Sequence, residues 1–429
     1  MREDGAAPIF PDNAPGFEAR GDGAMKALLR DAMTAAVLLA ATTSSIAAPA
    51  PACRNTASFA AWLDQFKKEA LAQGISQQAI ATASPYMLLE QKIIHIDRGQ
   101  KVFGQPFLEF SDRMAAAYRI KGGQDKIRQH AAIFQRAEQQ YGVPPAVIAA
   151  FWALESDFGA SQGKYQVIPS VTTLAYDCRR SDMFRKHLFD MLRLVQRGDL
   201  APSEMIGSWA GELGQTQMMP SEYFTHAVDY DGDGRRDLLH STADVIGSTA
   251  NYISHLGWKR GEPWLTEVRV PANLPWDQAD LKIKHPRSQW AAWGVTLPNG
   301  SALPNDALQA SLLLPMGRLG PAFLAYANFD VYLTWNNSLI YSTTAAYLAT
   351  RIAGAPSMYR GAKPIPSLPG EQVKELQTIL IRMGHDVGGA DGKIGLATRA
   401  AIKQAQLKLG MPADSYPTAE LLARLRAGR

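Results

Sequence analysis

The stretch VIAAFWALESDFGAS, residues 147–161, decides the fold of the largest part of this chain. Its apolar residues form a run of helical length, a Pro-Pro pair just before it suits a first helical turn, and a glycine follows it. The pattern predicts a buried helix that ends near Gly159. Glu155 lies in the last turns and shares a face with Phe151 and Trp152, so the sequence places a carboxyl against an apolar wall.

The surroundings of Glu155 suggest a chemical role. Apolar neighbours raise the pKa of a carboxyl, and the negative end of a helix acts in the same direction. A glutamic acid that stays protonated near neutral pH is what a general acid for glycosidic bond cleavage needs. The alternative is a glutamate that caps or snorkels at a helix end, and the residues alone slightly favour it.

Composition limits the classes of function. The chain has 429 residues, 46% hydrophobic and 9% aromatic, which is enough for two or three packed domains. A formal net charge of +4 is too small to indicate nucleic acid binding, so we expect no nucleic acid partner. The sequence has no G-x-S-x-G or phosphate-loop motif and no His/Cys metal spacing, which disfavours triad hydrolases and nucleotide enzymes.

Residues 1–52 read as a non-core N-terminal extension with a signal peptide. Residues 1–24 are rich in Pro and Gly, whereas MKALLRDAMTAAVLLAATTSSIAAPAPA, from Met25, has a basic start, a short apolar run and a small-residue end. This layout is typical of a secretory signal, with Met25 as a candidate true start. We therefore expect an exported or periplasmic protein, with outer-membrane association as an open variant.

The chain has two cysteines, Cys53 and Cys178. In an exported protein, such a pair favours a disulfide. Two alternatives stay open: Cys53 could be a lipidated terminus, although APAC lacks the usual large aliphatic residue, or both cysteines could be buried and unrelated.

The rest of the chain divides into regions with different residue patterns. Helical periodicity runs to Gly142, and DKIRQHAAIFQRAEQQY, residues 125–141, predicts a single helix. Short alternating runs broken by Pro, Asn and Gly predict a small antiparallel β region over residues 264–315, with LPNG as a tight turn. A Pro/Gly/Ser-rich linker then precedes a small separate unit. The predicted boundaries are 53–355 for the main domain, 356–369 for the linker and 370–429 for the terminal domain.

The segment SWAGELGQTQMMPSEYFTHA, residues 208–227, combines polar side chains with glycines that let a ligand approach the backbone. Ser208 and Gln217 are candidate sugar contacts, although a connection with solvated glutamines is the plain alternative. Downstream aromatics and amides could stack on sugars and bond their acetamido groups, with core packing as the alternative for each aromatic. They are Tyr252, Trp335, Asn336 and Tyr341.

An aspartate-rich stretch, DYDGDGRRDLLHSTAD, begins like a calcium-binding loop. Aspartates alternate before a glycine, but His240 stands at the twelfth position, where a bidentate Glu is expected. A structural Ca²⁺ and a turn without an ion are equally open. The candidate ligands are Asp229, Asp231, Asp233, Asp237 and Asp244.

Four motifs in the same order, ALESDFG, WAGELGQTQMMPSEYFTHAVDYDGDGRRDL, ADVIGSTANYISHLGW and WNNSLIY, resemble the lytic murein transglycosylase B family over residues 58–352. The resemblance implies a mainly α fold: a lysozyme-like multi-helix catalytic domain with a small antiparallel β subdomain. It assigns the single catalytic acid and base to Glu155 and places the calcium loop at residues 229–244. Trp335 replaces the usual tyrosine and so lacks its hydroxyl. The implied substrate contacts are Ser208, Gln217, Tyr252, Trp335, Asn336, Ser338 and Tyr341.

The C-terminal unit resembles a three-helix peptidoglycan-binding domain. The resemblance rests on ADGKIGLATRAAIKQAQ, residues 390–406, and on its position after a linker. It implies that peptidoglycan glycan strands are the partner.

The two resemblances together predict a peptidoglycan lytic transglycosylase. It would cleave the bond between N-acetylmuramic acid and N-acetylglucosamine without water, with Glu155 as acid and then base and no cofactor required for the chemistry. We expect a monomer, with cell-wall synthesis or remodelling complexes as candidate partners. The alternatives are a hydrolytic muramidase, with Asp157 or Glu212 as second carboxylate, and a catalytically silent wall-binding protein.

Overall fold

The computed structural model of the chain describes Asn55, residues 57–99 and residues 105–428. These residues form seventeen α-helices and six short strands, so the prediction of a mainly α fold is confirmed. None of the helices in these ranges combines the length and apolarity needed to span a membrane. The predicted signal peptide lies outside the described residues.

The elements follow one another along the chain. The first helices are α1 Phe59–Ala72, α2 Gln77–Ala83, α3 Gln91–Gly99, α4 Phe107–Met114, α5 Ala117–Gln129, α6 Ala131–Tyr141, α7 Pro145–Ser156, α8 Val167–Tyr176 and α9 Ser181–Arg197. The next are α10 Pro220–His226, α11 Thr242–His255, α12 Arg287–Ala292, α13 Ala327–Trp335 and α14 Leu339–Ile352, and the terminal ones are α15 Gly370–Arg382, α16 Leu396–Lys408 and α17 Ala419–Arg426. The strands are β1 Tyr165–Gln166, β2 Ile206–Gly207, β3 Leu265–Val268, β4 His285–Pro286, β5 Gln309–Leu313 and β6 Ala322–Ala325.

Helix α7 is the centre of the large helical unit. It packs against α5, α6, α11 and α14, and every residue from Ala146 to Leu154 is buried. A helix that is apolar all round is stable only when it is surrounded by other elements, as the sequence predicted. The helix ends at Ser156, slightly before Gly159, because Asp157 and Phe158 adopt positive φ values of 50° and 61°.

The predicted single helix over residues 125–141 was wrong. Helix α5 ends at Gln129 and α6 begins at Ala131, with His130 between them at φ −116° and ψ 31°. The break lets α5 lie on α7 and α14 while α6 lies on α11. Helix α5 approaches its neighbour closely, since a Cβ added at Gly123 would lie 2.6 Å from the Ile352 side chain.

The predicted antiparallel β region is confirmed. Its four strands have the order β3-β6-β5-β4, all neighbours antiparallel, with Leu265 opposite Ala325 and Leu312 opposite Leu324. A separate apolar core around Trp290 lies beneath the sheet.

The terminal unit is the predicted three-helix domain, with its own core between α15, α16 and α17. Two buried cations of α16 fix it to the β subdomain. Arg399 donates to the carbonyl of Leu314 at 2.5 Å, and Lys403 lies 3.1 Å from the carboxylate of Asp280. The terminal domain is therefore docked on the catalytic unit.

Candidate active site

Glu155 occupies the last turn of α7, and two contacts fix that end of the helix. Arg119 of α5, itself buried, donates to Asp157 Oδ2 at 2.9 Å, and Trp152 Nε1 donates to Gln215 Oε1 at 2.9 Å. Glu155 is partly exposed, whereas the side chains on either side of it are buried. At this end of the helix, the Glu155 carboxyl is therefore accessible from outside, although its sequence neighbours are enclosed.

Two donors meet at one oxygen of Glu155. Trp335 Nε1 donates to Oε1 at 2.9 Å, and the Tyr341 hydroxyl donates to the same oxygen. Within the described ranges, no protein donor reaches Oε2. Burial raises the pKa of Glu155 to about 7, against the opposing effect of the hydrogen bonds from Tyr341 and Trp335. The carboxyl is thus balanced between its two protonation states near neutral pH.

The WNNSLIY stretch delivers both donors. Helix α13 ends at Trp335, and Asn336 is extended, with its Oδ1 accepting from the Ser338 N–H at 2.9 Å. Ser338 caps α14, and its Oγ accepts from the Tyr341 N–H at 3.3 Å. Asn336 and Ser338 therefore shape the turn that brings Trp335 and Tyr341 onto the same carboxyl.

Aromatic rings surround the Trp335 indole. Its centroid lies 4.3 Å from that of Phe151 and 5.2 Å from that of Tyr252. The His226 ring stacks on Tyr252, with a distance of 4.8 Å between the ring centroids. The tryptophan thus keeps an aromatic face in the site, and its N–H replaces the hydroxyl whose absence the sequence suggested.

The glycine-glutamine segment folds into a tight loop beside Glu155. Ser208 is buried, and its Oγ accepts from the N–H groups of Ala210 and Glu212 at 3.2 and 3.1 Å. Gln217 has a φ of 48°, and its Nε2 donates to the Gly214 carbonyl at 2.8 Å. In this structure both predicted sugar contacts brace the loop through these bonds.

Glu212 is the second carboxyl of the site. Its side chain is 5% exposed, and its Oε2 has no hydrogen-bond partner among the described residues. Burial raises its pKa to about 8, a hydrogen bond from Ser208 opposes the rise, and the charge of Glu155 adds to it. From the sequence, Glu212 was only a candidate second carboxylate for hydrolysis. Its burial could have been suspected because it is the one acidic residue within WAGELG, whose other residues are small or apolar.

From the sequence, Gln215 was interpreted only as one of the sugar-binding polar side chains of the glycine-glutamine segment, and Arg119 had no predicted role. Gln215 links the loop to α7 and also donates from Nε2 to the Leu239 carbonyl at 2.9 Å. A Cβ added at Gly159 would lie 2.4 Å from Gln215 Oε1, so this contact requires glycine. The repeated glutamines of GQTQ were a signal for Gln215, whereas nothing local marks Arg119.

The aspartate loop brings three of its five candidate ligands together. Carboxylate oxygens of Asp229, Asp231 and Asp244 lie within 4.8 Å of one another, and Asp244 is fully buried. Asp233 and Asp237 lie outside this cluster; their Oδ1 atoms accept from backbone N–H groups at 2.8 and 2.9 Å. Three converging carboxylates suit a hard cation such as Ca²⁺, so the residues present fit a calcium ion.

The predicted disulfide depends on Cys53, which lies outside the described residues. The pairing with Cys178 stays a prediction.

The fold and the site define a class of enzyme. A helical domain that holds one enclosed glutamic acid against aromatic rings, joined to a small three-helix domain, is organised for glycosidic bond cleavage in a polysaccharide. Residues 58–350 match the family described as the Transglycosylase SLT domain, and the chain belongs to this family. Residues 369–425 match a putative peptidoglycan binding domain.

Individual relatives agree with this classification. The chain is 31% identical over 255 residues to the membrane-bound lytic murein transglycosylase B of Escherichia coli K12, a match that covers 58% of this chain and 67% of that protein. The crystal structure of SltB3 from Pseudomonas aeruginosa in complex with NAG-anhNAM-pentapeptide has 41% identity and a TM-score of 0.80, covering 86% of this chain and 99% of the other. The lytic transglycosylase Slt35 of Escherichia coli, solved in complex with calcium, has 28% identity and a TM-score of 0.58, covering 68% and 92%. The chain is a peptidoglycan lytic transglycosylase with a peptidoglycan-binding domain.

Proposed function

We propose that this enzyme cleaves the bond between N-acetylmuramic acid and N-acetylglucosamine without water and leaves anhydro-muropeptides, with Glu155 as acid and then base. The observation that carries the proposal is the placement of both donors on Oε1 of Glu155. This arrangement leaves Oε2 to hold the proton and to face the substrate.

In the first step, Glu155 gives its proton to the bridging glycosidic oxygen as the oxocarbenium-like state forms. The substrate's own acetamido group assists as an internal nucleophile. The carboxylate that results is stabilised by the Trp335 N–H and the Tyr341 O–H, because hydrogen bonds to an ionised acceptor are stronger than those to a neutral one. A pKa of about 7 means that neither state is costly to reach.

In the second step, the Glu155 carboxylate takes the proton of the primary hydroxyl of the muramic acid. The freed oxygen closes the anhydro ring, and Glu155 is protonated again, so the cycle consumes no water and needs no second carboxylate. The bound ligand of SltB3, NAG-anhNAM-pentapeptide, is named as such an anhydro sugar, which supports the same product here.

The two candidate second carboxylates are poorly suited to activating water. Asp157 is bound by Arg119 and also accepts from the Tyr118 hydroxyl at 3.3 Å. Glu212, with a pKa of about 8, is mostly protonated at neutral pH and is a poor base there. Both findings support the non-hydrolytic route over the muramidase alternative.

The substrate proposal extends to the rest of the site. SltB3 has also been solved with NAG-NAM-pentapeptide, which supports a glycan strand with its peptide as the ligand. Tyr252 and Trp335 offer aromatic faces for sugar rings. The proposed contact residues are Ser208, Gln217, Tyr252, Trp335, Asn336, Ser338 and Tyr341.

We further propose that Ca²⁺ binds at Asp229, Asp231 and Asp244 and stabilises the loop without taking part in the chemistry; the calcium complex of Slt35 supports this. An exported location fits the signal-like segment and the cell-wall relatives. The predicted domain boundaries, 53–355, 356–369 and 370–429, are part of the same proposal.

Mass spectrometry of purified peptidoglycan digested with the full chain tests the reaction. Anhydro ends on the muramic acid support the proposal, and reducing ends would establish a hydrolytic muramidase instead. Absence of any soluble product would identify a wall-binding protein without activity.

A further inference from the structure

Glu212 is a buried acid that the proposed reaction does not use. Its Oε2 is shielded from solvent and accepts no hydrogen bond within the described ranges. No Lys or Arg of those ranges forms an ion pair with it. A carboxylate in such a position is strongly disfavoured, whereas the neutral acid is tolerated. The position therefore favours a proton on this side chain.

The loop holds Glu212 firmly in this place. Its carbonyl accepts from the Ser208 N–H at 3.0 Å, and its own N–H donates to Ser208 Oγ at 3.1 Å. A Cβ added at Gly207 would lie 2.0 Å from the Glu212 carbonyl oxygen, so the backbone here is as close-packed as glycine permits. These contacts fix the backbone from which the buried Glu212 side chain extends.

Glu212 belongs to a cluster with the reacting carboxyl. The titratable groups that act on it from the packed elements are Glu155 of α7 and Tyr341 of α14. Tyr341 donates to Glu155, and its own pKa is raised by burial and then by the charges of Glu155 and Glu212. These three titratable groups thus interact with one another, and no Lys or Arg of the described ranges forms an ion pair with either carboxyl.

We propose that Glu212 is a positioning residue that stays protonated in the active enzyme, so that the active form carries one proton on Glu155 and another on Glu212. The inference rests on the proposed function of Glu155. When Glu155 releases its proton to the substrate, a negative charge forms close to Glu212. A neutral Glu212 permits that charge, whereas an anionic Glu212 opposes it through like-charge repulsion in an enclosed site.

The inference predicts the shape of the pH-rate profile. Glu155 loses its proton near pH 7 and Glu212 near pH 8. If both protons are needed, the logarithm of the rate falls with a slope that approaches two above the second ionisation. If Glu155 alone matters, the slope stays at one.

The test measures initial rates of muropeptide release by the full chain from about pH 5 to about pH 9.5. The wild type should show the slope of two. Glu212→Gln, which replaces the neutral acid with a neutral amide, should lose less than about tenfold in rate at acid pH and show a slope of one. Glu222→Gln is the control, because Glu222 also has a buried oxygen without a partner among the described residues and a raised pKa. The charged groups that act on it are Lys186 and Asp190, and its own charge acts on Tyr252 rather than on Glu155. It should keep the slope of two.

A slope of one in the wild type would overturn the inference without the need for any variant. Equal slopes in the wild type and Glu212→Gln would do the same. Neither result touches the proposed function, which is tested separately by the product analysis and by the loss of cleavage in Glu155→Gln.

A second measurement needs no activity. In Glu155→Gln, labelled with ¹³C at the glutamate carboxyls, the NMR titration of Glu212 should move to lower pH than in the wild type, because the charge of Glu155 no longer raises it. An unchanged titration would show that the two carboxyls are not coupled and would refute the inference.

Discussion

Buried carboxyls occur in two kinds of surroundings in this molecule. Asp97, at the end of α3, is 2% exposed and is held by two arginines: Arg179 Nε lies 2.9 Å from its Oδ2, and Arg180 contacts its Oδ1. Glu155 and Glu212 have no such cation within the described ranges, and the pKa of each is raised. Arginines thus neutralise Asp97, whereas the two acids of the site lack a counter-charge, which is the environment that an acid needs if it is to hold a proton.

The physical reason lies in what neutralises the charge. An arginine pair keeps a buried carboxylate ionised and ties it to the fold, so its removal affects stability. A site without a cation can be neutral only through a proton, so the group is ready to give that proton away. Under the proposed function, the fold therefore uses a carboxyl for structure at Asp97 and for chemistry at Glu155.

The largest expected effect is on catalysis. Glu155→Gln keeps the shape of the side chain but cannot hold or release the proton, so muropeptide release should fall by about a thousandfold or more. The variant should remain folded, as judged by circular dichroism. Muropeptide release within tenfold of the wild-type rate would show that Glu155 is not the catalytic acid, and its contrast with Asp97 would then have no functional meaning.

The corresponding experiment on a structural carboxyl uses Asp97, which is paired with two arginines. Asp97→Asn leaves two arginines facing an uncharged amide, and the free energy of unfolding should drop by roughly 3 kcal/mol, since one partner of a buried ion pair is removed. Chemical denaturation measures the loss. Activity per folded molecule should stay within about twofold, and a large change in the rate of the folded fraction would contradict the division between structural and chemical carboxyls.

The pH dependence of stability provides a third test. The pKa values of Glu155 and Glu212 are raised in the folded state from 4.5 to about 7 and about 8. The folded state thus binds more protons between those limits, and stability is lost as the pH rises from about 4.5 to about 8. At about 1.4 kcal/mol per pKa unit, the loss should be several kcal/mol, mainly from the buried Glu212, with a smaller contribution from the partly exposed Glu155. Thermal unfolding at several pH values should show a smaller loss in Glu155→Gln than in the wild type; an identical pH dependence would argue against the raised pKa.

How far the sequence alone leads can be seen from the same residues. The buried helix α7 and the β region follow from local periodicity and turn residues, whereas the three-helix domain was predicted from its resemblance to a peptidoglycan-binding domain; all three predictions were correct. The pairing of Glu155 with Trp335 joins residues 180 positions apart, and it depends on how α7 packs against the turn before α14. The break at His130 likewise depends on tertiary packing, because it lets α5 and α6 contact different helices. The missing cation around Glu212 is a property of the packed structure, and no local pattern encodes it.

Removal of one donor tests how the charge at Glu155 is managed. Trp335→Phe keeps an aromatic ring but lacks the N–H, which favours the carboxylate, so the pKa of Glu155 should rise and the alkaline limit of activity should move to higher pH. The rate at neutral pH should drop by about tenfold, the value of one charge-assisted hydrogen bond. Trp335→Tyr is the matched variant, since its hydroxyl can donate in place of the indole. An unchanged pH limit in Trp335→Phe would show that the bond does not act on the reacting carboxyl.

The smallest expected effect comes from a third set of carboxyls, those of the aspartate loop. Here the neutralising charge would be a bound Ca²⁺ instead of an arginine or a proton. Asp229, Asp231 and Asp244 converge without an ion pair from Lys or Arg within the described ranges. Asp229 is partly exposed and Asp231 is exposed, so a metal ion can reach the cluster. Ca²⁺ at about ten times its dissociation constant should stabilise the protein by about 1.4 kcal/mol without changing the rate of the chemical step. Asp231→Asn should abolish this stabilisation in a thermal unfolding assay, because a ligand oxygen loses its charge. A Ca²⁺ effect that persists in Asp231→Asn would place the ion elsewhere. A Ca²⁺ effect on the pH-rate profile would link this cluster to Glu155 and would show that structural and chemical carboxyls are not separate in this molecule.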